Sequence, residues 1–82
     1  MEKSIGKITH FYSGLMVGII ELSGALKVGD TIKIKGANTD FEQTVDSIQV
    51  DHKDVQSAKK GDIVGIKVAE KVHEGNEVFL AG

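Results

Sequence analysis

Apolar and polar residues alternate along most of this chain in the two-residue rhythm of half-buried strands. In Thr31-Ile32-Lys33-Ile34-Lys35 both isoleucines fall on one face and both lysines on the other. Val64, Ile66 and Val68 alternate in the same way with Gly65 and Lys67. Ile5 to Tyr12 and Met16 to Leu22 are expected as the first two strands, joined tightly at Ser13-Gly14, and Val78-Phe79-Leu80 as the last. Between Phe41 and Val50 the rhythm changes step. Phe41, Gln43 and Val45 share one parity, whereas Ile48 and Val50 take the other. A β-bulge near Asp46-Ser47 would absorb that shift where a sheet curls.

Glycine supplies the punctuation. Gly29-Asp30, Gly61-Asp62 and Gly75-Asn76 each stand just before a β-rich run. Glycine reaches positive φ cheaply and Asp or Asn favours the turn that follows, so each pair should deliver the chain from a loop into a strand. Residues 36–40 form a further turn. Lys53 to Lys60 has Val55 and Ala58 three apart, which suits a loop with one helical turn at most. Six or seven short strands, each with one apolar face, need a partner sheet or closure, and a small barrel satisfies both. The expected fold is all-β: a small closed antiparallel barrel occupying residues 1–82 as one domain.

Composition narrows the function. The 82 residues include no cysteine and no proline, so the core must hold without disulfides or thiolate-bound metal. The longest apolar patch, Leu15 to Leu22, is interrupted by Gly18 and Glu21, too short for a membrane span or a signal sequence. A cytoplasmic setting is expected, and the Met1 start with a barrel-length span leads to the expectation of a whole chain. Ten Lys+Arg against twelve Asp+Glu give a formal charge of −2, unlike a general polyanion binder.

Catalytic constellations are absent from the pattern. His10, His52 and His73 are far apart with no metal-ligand spacing, and Asp51 and Asp54 suit a turn. No serine has the surround of an activated nucleophile. Gly6-Lys7-Ile8-Thr9 lacks both the earlier glycine and the following helix of a phosphate-binding loop. The expectation is therefore a binding module without catalytic residues, metal, cofactor or nucleotide. Phe11 and Tyr12 are adjacent, so one should face inward and the other outward. An outward Tyr12 could stack on a base, with Lys27, Lys33, Lys35, Lys59 and Lys60 meeting phosphates. Surface lysines without acidic neighbours would favour RNA as the partner.

The stretches Ile5-Gly6-Lys7-Ile8 and Gly24-Ala25-Leu26-Lys27-Val28-Gly29-Asp30-Thr31-Ile32-Lys33-Ile34 resemble the second domain of translational GTPases such as elongation factor Tu. Thr44 to Gln49, Ala58 to Ile66 and Val72 to Leu80 continue the likeness over nearly the whole chain. The run from Phe41 to Gln49, followed by Asp51-His52, is also similar to the C-terminal barrel of collagenase-like peptidases. The first resemblance implies a translation-type barrel associated with RNA or a ribonucleoprotein. The second implies an accessory barrel working with a separately encoded collagenase-like peptidase or RNA-modifying enzyme.

Overall fold

The computed structural model describes residues 3–37, 39–51 and 53–81. Ten strands follow in order: β1 (Lys3–Tyr12), β2 (Val17–Leu22), β3 (Leu26–Lys27), β4 (Thr31–Lys35), β5 (Asp40–Thr44), β6 (Ile48–Val50), β7 (Lys53–Val55), β8 (Ser57–Ala58), β9 (Ile63–Lys67) and β10 (Glu77–Leu80). Eight form an antiparallel sheet in the order β5-β4-β10-β1-β2-β9-β6-β7, and β3 pairs with β8 in a separate ribbon. The strands enclose one core cluster, in which Ile8, Ile20, Ile32, Ile34, Ile48, Val64, Ile66 and Val78 are almost wholly buried.

The expected closed barrel of six or seven strands needs correction. In hydrogen-bond terms the sheet is open, with β5 and β7 at its edges. Yet β5 and β6 stand near opposite ends of the strand order with only three residues between them. Three residues reach about 10 Å, so the sheet must roll to bring those ends together. The seam is held by a side chain in place of a ladder. Gln43 Nε2 donates to the Lys67 carbonyl at 2.7 Å, and Gln43 Oε1 accepts from the Ala69 amide at 2.8 Å. One amide side chain thus bridges β5 to the chain leaving β9.

Two other expectations change in detail. The step between Val45 and Ile48 is a break separating two strands, not a bulge within one. Val45 and Ile48 are both buried on either side of it, as the change of parity required. The register shifts fall instead in β1, between Ser4 and Gly6 and between Ile8 and His10. Residues 53–60 hold two short strands and no helical turn. Val50 pairs with Lys53 across a two-residue connection whose first residue, Asp51, has φ 54°, the positive value tight hairpins need. Ala58 is buried by pairing with Leu26, so the spacing of Val55 and Ala58 comes from a bend at Gln56.

The three glycine turns are one device used three times. Gly29, Gly61 and Gly75 have φ of 98°, 94° and 90°. The turns close through Asp30 N to Lys27 O, Asp62 N to Lys59 O and Asn76 N to His73 O, at 3.0–3.1 Å. In each, the glycine amide donates to the carbonyl of a buried aliphatic residue, respectively Val45, Leu22 and Ile8. That residue's own amide donates back to the carbonyl of the Asp or Asn. Each turn is thereby pinned to a core residue distant in sequence.

In the first two turns the carboxylate does a second job, accepting the backbone amides of Lys27 at 3.1 Å and Lys59 at 3.0 Å. Asn76 differs: it is buried, lies against Gly36, and its Nδ2 finds no partner among the described residues. Asp62→Ala should therefore lower stability by about 0.5–2 kcal/mol, the range for losing a side-chain acceptor that caps a backbone amide. A urea titration would show this as an earlier midpoint. An unchanged midpoint would mean the carboxylate adds nothing beyond the turn's backbone bonds.

Candidate functional site

The outward face of the rolled sheet divides into two chemically different halves. The first is a ladder of alternating charge. Register places Asp40, Lys35, Glu77, Lys7 and Glu21 side by side across β5, β4, β10, β1 and β2. A parallel row runs Glu42, Lys33, Phe79 and Ser4. The Lys35 ammonium lies 5.7 Å from the centre of the Phe79 ring, within cation–π range. Opposite charges directly across a sheet attract, each pair contributing roughly 0.2–1 kcal/mol.

The predicted site residues do not form one cluster. Lys33 and Lys35 sit in this ladder opposite Glu42, Asp40 and Glu77, so they are lysines with acidic neighbours. Lys27 lies in the β3–β8 ribbon, and Lys59 and Lys60 follow its other strand. These three are exposed, and the Asp30 and Asp62 carboxylates face the Lys27 and Lys59 backbone amides. Tyr12 is elsewhere again, at the end of β1, five residues or about 17 Å along the strand from Lys7. As the alternation required, Phe11 packs against the core and Tyr12 is exposed. His52 lies outside the described residues. Among the described residues no group of three His, Asp or Glu side chains could hold a metal ion.

The second half of the face is apolar. Val17 and Ile19 point outward from β2, and Ile63, Gly65 and Lys67 point outward from β9. Ile19 pairs with Gly65 and Val17 with Lys67. A β-carbon on Gly65 would lie 3.3 Å from Ile19 Cδ1 and 3.4 Å from Val17 Cγ1, so these side chains lean over the glycine. The β1 end of the strip carries Tyr12 and His10, rings 4.4 Å apart and tilted by 60°. Leu15, in the β1–β2 loop, is 67% exposed and Ile63 is 57% exposed. Met16 closes that loop with φ 53°, the left-handed residue that four-residue hairpin loops use.

Of this strip the sequence singled out only Tyr12, because Leu15, Val17, Ile19 and Ile63 carry neither charge nor an aromatic ring. A signal was nevertheless present in Leu15 to Leu22, where both parities of β2 are apolar until Glu21. A strand with one solvated face alternates apolar with polar, and a continuous run belongs to a strand covered on both sides.

Residues 14–76 match the family described as elongation factor Tu domain 2. Among curated proteins, an uncharacterized protease of Methanocaldococcus jannaschii is 48% identical over 77 residues, covering 93% of this chain and 19% of that protein. A collagenase of Porphyromonas gingivalis is 35% identical over 77 residues, covering 92% of this chain and 21% of the relative. The chain thus spans about a fifth of the length of these relatives. A solved structure of the C-terminal domain of a Geobacillus thermoleovorans protein assigned to the U32 peptidases is similar in fold. It superposes with TM-score 0.92 at 16% identity, covering 98% of this chain and 93% of that one. Its selenomethionine variant gives 0.89 at the same identity, covering 93% and 96%. With a family match over most of its length and this topology, the chain belongs to the elongation factor Tu domain 2 family.

Proposed function

We propose that this chain is a non-catalytic protein-interaction module that works with a peptidase of the collagenase type. The observation that carries this reading is the apolar strip over β2 and β9, whose Val17, Ile19 and Ile63 lie between Glu21 and Lys67. Those strands present apolar side chains outward as well as inward, which suits a protein surface, and their two outward charges, Glu21 and Lys67, are of opposite sign. The curated relatives support the same partner class, since they are named as a protease and collagenases and are about five times longer. The charge ladder supports it too, because Lys33 and Lys35 already face carboxylates across the sheet.

Recovery of the tagged chain from its own cells, washed at roughly 50 and 200 mM salt, tests the reading. A collagenase-type peptidase should remain bound through both washes. RNA held at the lower salt and lost tens-fold or more at the higher would overturn the proposal. Lys27, Lys59 and Lys60 would then be the first residues to replace. Purified chain should cleave neither gelatin nor short collagen-derived peptides, and turnover that survives removal of the partner would also overturn it.

A further inference from the structure

We infer that the apolar strip formed by Tyr12, Leu15, Val17, Ile19 and Ile63 is the docking surface for the body of the peptidase. The inference rests on the function proposed above and adds which face makes the contact. Three features identify the occupant. The first is charge: the strip has a neutral centre, with Glu21 and Lys67 of opposite sign at its margins, so it suits an apolar protein surface with a polar rim.

The second is area. Three strands about 4.8 Å apart and five residues of about 3.3 Å each give a projected patch of roughly 240 Å². Counted on both sides it comes to about 480 Å², a little under the roughly 600–1,500 Å² shared by domains of one chain. It is well short of the about 800 Å² per partner that a free-standing complex buries. A patch of this size suits a neighbour held close by a covalent link or by further contacts, because tethering raises the effective concentration. The third is the relatives' length: in them the segment equivalent to this chain accompanies about four-fifths of a longer polypeptide.

The strip is also built to be flat. Gly65, at its centre, has Val17 and Ile19 leaning across it, so no side chain of its own rises between them. Leu15 and Ile63 stand at opposite margins as the most exposed apolar side chains. They are the anchors a partner would cover first.

The test uses the whole M. jannaschii relative with its 77 aligned residues replaced by this chain, compared with this chain alone. Hydroxyl-radical labelling reads the exposure of individual side chains in both. Tyr12, Leu15 and Ile63 should be labelled at least threefold less in the fusion, with His73 and Phe79 unchanged. Leu15→Glu combined with Ile63→Glu in the fusion should return Tyr12 to its labelling in the free chain. Both positions are more than half exposed, so the fold should tolerate these changes.

Equal labelling of the three residues in fusion and free chain would overturn the docking surface. Protection confined to the charged half would also overturn it, and would leave the module reading standing. No protection anywhere on this chain would overturn both. Sedimentation of the isolated chain provides a check that does not depend on the fusion folding. A dimer that the same two substitutions dissolve would show that a second copy covers the strip, and would overturn the peptidase body as its occupant.

Discussion

Ile20→Ala should cost about 2–5 kcal/mol, the usual range for emptying a buried aliphatic site. Ile20 is 0% exposed and lies between Ile8 of β1 and Val64 of β9 in the register of the sheet. An 82-residue domain typically holds about 4–12 kcal/mol in total, so this one change removes a large share of its stability. Ile19 is the neighbouring residue in sequence and faces the other way. Ile19→Ala should cost about 1 kcal/mol or less, since its side chain is only partly withdrawn from water. Paired urea titrations of the two variants measure the difference. Reversed costs would mean that β2 sits one residue out of register, because a slip of one exchanges the two faces.

Gly6→Ala should destabilise by about 1–3 kcal/mol, although alanine normally suits a strand better than glycine. Gly6 is buried in β1 where the register with β10 shifts. A β-carbon there would lie 2.6 Å from Ile20 Cγ2 and 2.9 Å from the carbonyl oxygen of Glu21. The first clash could ease by movement of a side chain. The second is with backbone held in the β1–β2 ladder, so β1 and β2 would have to separate. Gly65→Ala is the control, because its new atom would meet only the side chains of Ile19 and Val17, at 3.3 and 3.4 Å. Thermal melts should show a clear loss for Gly6→Ala and little change for Gly65→Ala. A loss of similar size in both would mean that the approach of Gly6 to the Glu21 carbonyl is not what costs stability, since losing backbone freedom alone would favour alanine at both positions.

Much of the strand pattern was legible because a two-residue period is a local property. Thr31 to Lys35 alternates in the structure as in the sequence, with Ile32 and Ile34 buried and both lysines facing out. The three Gly-Asx pairs were legible for an equally local reason, since positive φ is cheap only for glycine. Residues 53–60 were misread because their strands are two and three residues long. So short a segment shows no period, and only pairing with Leu26, Lys27 and Ile48 to Val50 makes it extended.

The site was less legible. Lysines and a tyrosine stand out in a sequence, but cross-strand register decides whether a lysine faces solvent alone or a carboxylate. Lys33 and Glu42 are nine residues apart in the chain and opposite one another in the sheet. Lys35 and Glu77 are far more distant in sequence and equally close in register. Nor could the period of β9 place Ile63 beside the outward residues of β2, because that neighbourhood depends on how β2 and β9 pair.

By itself, then, the sequence determined an all-β chain, the faces of its longer strands and the positions of its glycine turns. These follow from local sterics and from which side chains prefer to leave water. Tertiary structure alone decided that the ladder stays open at a seam bridged by Gln43. It also decided that the outer face separates into a self-paired charge ladder and an apolar strip. Both depend on which strands become neighbours, and strand pairing is settled by burying one shared core between segments far apart in the chain.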